Sequence, residues 1–289
     1  MDPLVTVLTV TYQHAPYIRK CVEGVLSQRT TFPVEQLIGE DGGNDGTREI
    51  CESLAAENPT SVKLFVRDRK DVIYINGRPT GRSNFVKLLN SSKGKYIAIC
   101  EGDDYWTDPL KLQSQVDFME AHPEYSMCFH RADLLKAGKL EPHPIPADVD
   151  LENVRVEDLL RTYNFITTAS VMYRNVPRPL PDHFMKVPFG DLALHIIMAT
   201  KGKVMCLPDR MSVYRIIDSG SWSKLDRSAQ SLSSLEFYRI MSPHLTATQR
   251  AIVTTKRAQI VEKMAHERYP VNPKRKWVFK KYLQLMHRA

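Results

Sequence analysis

The chain has 289 residues, 43% hydrophobic and 25% charged, with 13 Gly and 18 Pro. These proportions exclude a disordered or collagenous polymer and allow one large α/β domain or two smaller ones. The net charge of +7 is concentrated at one end: residues 251–289 hold ten Lys or Arg against Glu262 and Glu267, so the first 250 residues are close to neutral. A nucleic-acid reader would spread its positive charge over the reading domain, and no nucleic-acid partner is expected here.

The five cysteines, Cys21, Cys51, Cys100, Cys128 and Cys206, are far apart and never form a CxxC pair, which argues against a disulfide scaffold or a zinc knuckle and for a reducing compartment. The apolar run Leu4 to Val10 lacks the basic lead and the length of a signal peptide, and no stretch approaches the roughly 20 apolar residues of a membrane span. The expected location is cytoplasmic.

Leu4 to Val10, rich in β-branched residues, predicts a buried strand. Ile18, Cys21, Val22, Val25 and Leu26 follow with the spacing of a helix packed on a sheet. A short strand, Gln36 to Ile38, runs into the turn-forming cluster Gly39 to Thr47, and a helix carrying Ile50, Cys51, Leu54 and Ala55 follows. Val62, Leu64 and Val66 predict a third strand, Phe85, Leu88 and Leu89 a helix, and Tyr96 to Cys100 a fourth strand. This alternation is the pattern of βαβ units and a mostly parallel sheet. Beyond Trp106 the pattern predicts a helix from Leu110 to Ala121, a strand at Met127 to Phe129 and an exposed Pro-rich connection from Glu141 to Asp150. Strands at Thr168 to Tyr173, Lys203 to Leu207 and Ser212 to Arg215, with a helix from Leu192 to Thr200, complete the reading.

In parallel sheets ligands bind beyond the carboxyl ends of the strands. Two of those ends are acidic here: the second strand delivers Glu40 and Asp41, the fourth Glu101, Asp103 and Asp104. Carboxylates this close repel one another, and protonation, a basic partner or a divalent cation relieves the repulsion. All-oxygen ligation points to magnesium or manganese. Each acid also has a structural reading: Asp41 as a turn residue, Asp103 and Asp104 as caps of the next helix, and Asp191 as an N-cap before an apolar helix.

The segments VTVLTVTYQHAPYIRKCVEGVLSQ, IGEDGGNDGT, GRSN and GKYIAICEGDDYWTDPLKL, in that order, resemble family-two glycosyltransferases, which have the GT-A fold. The similarity is to soluble bacterial members that assemble surface polysaccharides; it is dense over residues 4–125, ordered to about 225 and absent in the basic tail. It implies a Rossmann-like nucleotide-sugar-binding half over 1–106, an acceptor-binding half over 107–225 and a helical extension over 226–289. It implies an inverting transfer from a nucleoside-diphosphate sugar, with a UDP-type donor the first candidate, to a sugar or lipid-linked sugar. By resemblance Asp41 accepts from the donor base, with Tyr12 and the backbone near Val10 lining the slot, and Arg82 lies beside the donor. Asp103 faces the ribose and shares the metal site with Asp104. Glu101 opens the wider acidic motif where Asp is commoner, and Asp191 is the general base. The closing loop, Tyr214 to Ser223, has Ile217 where the family commonly has His, leaving Arg215 as its candidate.

Two other functions fit parts of the pattern. A nucleotidyltransferase would open with a Gly-rich basic loop after the first strand, where this chain has Tyr12-Gln13-His14-Ala15. A non-catalytic scaffold would need no paired acids at strand ends. The nine histidines are dispersed and read as structural. In the tail, a helical wheel over Trp277 to Met286 gathers Val278, Phe279, Tyr282, Leu283, Leu285 and Met286 on one side, with Trp277, Lys280, Lys281 and Gln284 opposite. Such a basic amphipathic helix either lies on anionic lipid as a peripheral membrane contact or packs on the body or in an oligomer.

Overall fold

Strand β1, Val5–Thr11, runs inside the sheet between two parallel neighbours, which is why its apolar residues are buried on both faces. The computed structural model describes residues 2–217, 220 and 225–286. From β1 the chain alternates as expected through α1 (Ile18–Leu26), β2 (Val34–Glu40), α2 (Thr47–Glu57) and β3 (Val62–Val66). A small hairpin, β4 (Ile73–Ile75) and β5 (Arg78–Thr80), precedes α3 (Arg82–Ser91) and β6 (Tyr96–Ile99). That hairpin was not anticipated, although Asn76-Gly77 at its tip, both with positive φ (52° and 73°), is a strong two-residue turn signal.

The second half contains β7 (Tyr105–Trp106), α4 (Lys111–Ala121), β8 (Tyr125–Lys136), β9 (Lys139–Pro142) and α5 (Val156–Arg161). It continues through β10 (Met172–Arg174), α6 (Gly190–Ala199) and β11 (Lys203–Ile216). Three helices follow: α7 (Arg227–Met241), α8 (Ala247–Arg268) and α9 (Pro273–Met286). Among the described residues no helix is long and apolar enough to cross a membrane.

The strands form one sheet in the order β3-β2-β1-β6-β10-β8-β11-β7, with β9 paired to β8. The β3-β2-β1-β6 part is parallel, β10 pairs antiparallel with both β6 and β8, and β11 runs parallel to β8. The two halves therefore share a single sheet. Side chains alternate across it: Val5 and Val7 of β1 face a core with α1, α2 and α4, while Leu8 faces a second core with α3, α5, α6 and parts of α7 and α8.

Three expectations are corrected. The strands at Lys203 to Leu207 and Ser212 to Arg215 are one strand, β11, whose pairing with β8 shifts register between Leu207 and Arg210. Pro208, which has no N–H for the ladder, lies in that shift, and a bulge carries the strand past it. The connection from Glu141 starts as β9, hairpinned to a twelve-residue β8 rather than to a three-residue strand. Thr168–Ser170 is a 3₁₀ turn, and only Met172–Arg174 continues as strand.

Candidate active site

The carboxyl ends of β1, β2 and β6 open on the same edge of the sheet. After β2, Glu40 is fully buried, accepts from the Gly43 N–H and from Arg48 Nε, and thereby fixes the turn that follows. Asp45 in that turn accepts from the Ala15 N–H and the Thr47 hydroxyl, which ties it to the loop after β1. Asp41 is buried and accepts from Arg69 Nη1 at 3.3 Å, and the Arg69 guanidinium lies 4.0 Å from the Tyr12 ring centre. Burial raises the Asp41 pKa, and the Arg69 charge opposes that rise. Asp41 and Tyr12 thus share one wall. The Val10 carbonyl accepts from the Gly102 N–H at 3.0 Å, which ties the end of β1 to the loop after β6.

Glu101, Asp103 and Asp104 follow β6, and one carboxylate oxygen from each lies within 4.8 Å of the others. Asp104 is buried; one oxygen accepts from the Arg215 N–H at 2.8 Å, and the other, Oδ2, is buried with no partner. Burial and then the Asp103 and Glu101 charges push the Asp104 pKa well up. Burial, with help from Asp103 and Asp191, raises that of Glu101 to about 8. An orphaned carboxylate oxygen among three converging acids is the donor set of a hard divalent cation, and the residues present fit one. The helix-cap reading of Asp103 and Asp104 fails, because α4 begins only at Lys111, with Leu110 as its uncapped N-cap.

Asp191 stands in the second half of the chain. It lies in the first turn of α6, one residue inside the N-terminus and not at the N-cap, which is Phe189. Its Oδ2 accepts from Asn164 Nδ2 at 2.6 Å and its Oδ1 from the Leu192 N–H at 2.8 Å. Its charge is felt at Glu101, Tyr214 and His195. Residues about ninety positions apart in the chain thus lie within electrostatic range of one another.

The buried guanidinium of Arg82 meets the backbone carbonyls of Phe184 and Val187 and stacks 4.4 Å from the Phe184 ring centre. Burial lowers its pKa to about 10 against the opposing pull of Asp191. A Cβ on Gly190 would come within 2.5 Å of that guanidinium, so glycine at the start of α6 lets the arginine pass beneath. Arg82 is a strut between the halves.

Three contributors escaped the sequence reading or were only weakly marked by it. Arg69 follows β3 in a basic stretch, Arg67 to Lys70, whose placement beside Asp41 depends on the parallel pairing of β2 with β3. His14 Nε2 lies 3.9 Å from Asp103 Oδ2, and burial lowers its pKa; among the described residues it is the one histidine paired with the acidic cluster. A Cβ on Gly102 would fall 2.8 Å from His14 Nδ1 and 2.4 Å from Thr11 Oγ1, so only glycine lets β1 and the acidic loop close together. Arg215 ties β11 to the motif, its Nε donating to the Asp103 carbonyl at 2.8 Å and its guanidinium lying against Tyr17 and Tyr105. Ile217 is buried; Asp218, Ser219 and Ser221 to Ser223 lie outside the described residues.

Residues 6–174 match the model of glycosyl transferase family 2. The uncharacterized protein Rv1520 of Mycobacterium tuberculosis is 35% identical over 75% of the chain, and the chain spans 60% of that relative. An Escherichia coli relative, UDP-Glc:alpha-D-GlcNAc-diphosphoundecaprenol beta-1,3-glucosyltransferase WfaP, is 28% identical over 76% of this chain and 80% of its own. Among solved structures, Staphylococcus aureus TarS 1-349 in complex with UDP superposes with a TM-score of 0.59 at 14% identity, covering 95% of this chain and 73% of that one. That likeness establishes the fold as GT-A. With the family match spanning more than half its length and the acids it brings to one sheet edge, the chain belongs to glycosyl transferase family 2.

Proposed function

We propose that the protein is an inverting glycosyltransferase, dependent on Mn²⁺ or Mg²⁺, that moves one sugar from a nucleoside diphosphate to an acceptor hydroxyl. A UDP-sugar is the first donor to test, because WfaP is named for one and TarS was solved with UDP. By the same analogy the acceptor is a sugar or lipid-linked sugar in bacterial polysaccharide or glycolipid assembly. The reaction is assigned to the cytoplasmic side, in keeping with five free, buried cysteines. The observation that supports the reading is the convergence of Glu101, Asp103 and Asp104, with the Asp191 charge contributing to the raised Glu101 pKa.

In this scheme Asp41 accepts an N–H of the donor base, Tyr12 and Arg69 wall the slot, and Asp103 faces the ribose. Asp104, with Asp103 and Glu101 beside it, would hold the cation. When bound, the cation neutralises charge developing on the departing diphosphate. Asp191, fixed by Asn164, takes the proton of the attacking hydroxyl. Attack assisted by one base on the face away from the leaving group inverts the anomeric centre.

A thermal-shift screen of nucleoside diphosphates with and without Mn²⁺, repeated on Asp104→Ala, tests the reading. A nucleotide near 100 times its Kd stabilises by about 2.7 kcal/mol, an upward shift of several degrees that should require Mn²⁺ and vanish in the variant. No response to any nucleotide would refute it.

A further inference from the structure

Helix α9 has two faces, and one of them is covered by the protein itself. Phe279 and Leu283 pack with Leu235 of α7 and with Ile260, Val261 and Met264 of α8. Lys276 and Lys280 lie on the same side and pair with Glu262 of α8. The wheel that gathered all the apolar residues on one side is thus split: Phe279 and Leu283 turn inward, while Val278, Tyr282 and Leu285 remain 59%, 54% and 58% exposed. Trp277 borders them at 61% exposure, with Lys281 Nζ 5.9 Å from its ring centre.

At about 100° per residue, Lys274, Arg275, Val278, Lys281, Tyr282 and Leu285 fall within roughly a third of the helix circumference. The helix holds five Lys or Arg and no Asp or Glu. Lys276 and Lys280 are engaged by Glu262, whereas Lys274, Arg275 and Lys281 are exposed. The outer face is therefore apolar along its middle, flanked by cations and bordered by an indole.

We propose that this face of α9 docks on an anionic lipid bilayer, with the helix lying in the plane of the surface. Val278, Tyr282 and Leu285 enter the acyl boundary, Trp277 sits at headgroup level, and Lys274, Arg275 and Lys281 meet lipid phosphates. Charge selects this occupant over a second copy of the chain. Two α9 helices related by a two-fold axis would set unopposed cations against one another, whereas an anionic surface attracts each of them. The inference adds a location to the function proposed above and stands without it, because lipid binding is read independently of donor binding.

The test is flotation of the full chain with vesicles of phosphatidylcholine alone and with vesicles containing phosphatidylglycerol. Binding is expected only to the anionic vesicles and should weaken as salt is raised. Replacing Lys274 and Lys281 together with Glu should lower binding about tenfold or more, given the contribution of each cation near such a surface. The triple substitution Val278→Ser, Tyr282→Ser and Leu285→Ser should abolish it, with the melting temperature and nucleotide-induced shift unchanged because all three side chains are exposed. Equal binding to both vesicle types, no binding to either, or binding indifferent to the triple substitution would overturn the proposal. So would a concentration-dependent dimer that the triple substitution dissolves, since a second copy would then cover the face.

Discussion

The parallel half of the sheet and the half that follows β7 build their shares of the proposed site by different means. In the parallel half the groups after β2 are held by neighbours close in sequence or on the next strand: Glu40 fixes the turn after β2, and Asp41 rests on Arg69; the acids after β6 are braced from afar, by Arg215 of β11. In the second half Asp191 stands on a helix reached through a 3₁₀ turn and irregular chain, and its supports come from far away: Asn164 beside it and Arg82 beneath. A binding slot can be written in short local motifs. The base proposed at Asp191 would have to be aimed at a particular atom and so needs long-range support, which Arg82 gives beneath the start of α6.

The comparison breaks most clearly at Asp191. Asp191→Asn keeps the shape and the oxygen that accepts from Leu192 but removes the base, so kcat should fall about 10²- to 10⁴-fold. Donor affinity, measured by calorimetry with the nucleotide and Mn²⁺, should be retained. Parallel loss of both would assign Asp191 to the donor side.

Arg82 sharpens the same contrast. Arg82→Met fills similar space but strands the carbonyls of Phe184 and Val187, and two buried unpaired acceptors cost about 2–4 kcal/mol. Chemical denaturation should show that loss while the donor KM stays near its original value. A raised donor KM at full stability would restore Arg82 to the donor contacts that its GRSN motif implies. A smaller effect is expected at Arg69, where substitution by Ala frees the Asp41 carboxylate and removes the cation over Tyr12. Nucleotide affinity should drop about tenfold, the size of one charge-assisted hydrogen bond, with kcat little changed.

The parallel half was legible because its strands are short, apolar and separated by helices of regular spacing, and because Asp41, Asp103 and Asp104 are adjacent to those strands in sequence. The structural partners of Arg82 were not legible, because a motif states where a residue sits along the chain and not which way its side chain turns; the carbonyls it meets lie about a hundred residues later. Arg69 and His14 escaped because neither has a spacing of its own: their place follows from β2 pairing with β3 and from Gly102 closing on the loop after β1. β11 read as two strands because Pro208 interrupts its alternation, although β8 holds both parts in one ladder. In the tail, periodicity showed that α9 is amphipathic, yet only the position of α8 shows which apolar residues stay exposed.

The smallest expected effect concerns the proton on Glu101. Burial, with the charges of Asp103 and Asp191, raises its pKa to about 8 from an ordinary 4.5. Between those values the native state binds a proton that the unfolded chain has released, so stability must fall as pH rises through the window and level off above it. Asp104, also raised, acts in the same direction. A cation held by these carboxylates favours their ionised forms and reverses the argument: cation uptake should release protons, and bound Mg²⁺ should flatten the decline. Melting temperatures of the full chain from pH 5.5 to 8.5, in EDTA and in Mg²⁺, should therefore diverge by a few degrees at the alkaline end. Glu101→Gln, neutral at every pH, should show a shallower decline in EDTA. A decline that Mg²⁺ leaves untouched would mean that the three acids converge without gripping an ion, and the donor side would then owe its order to protonation alone.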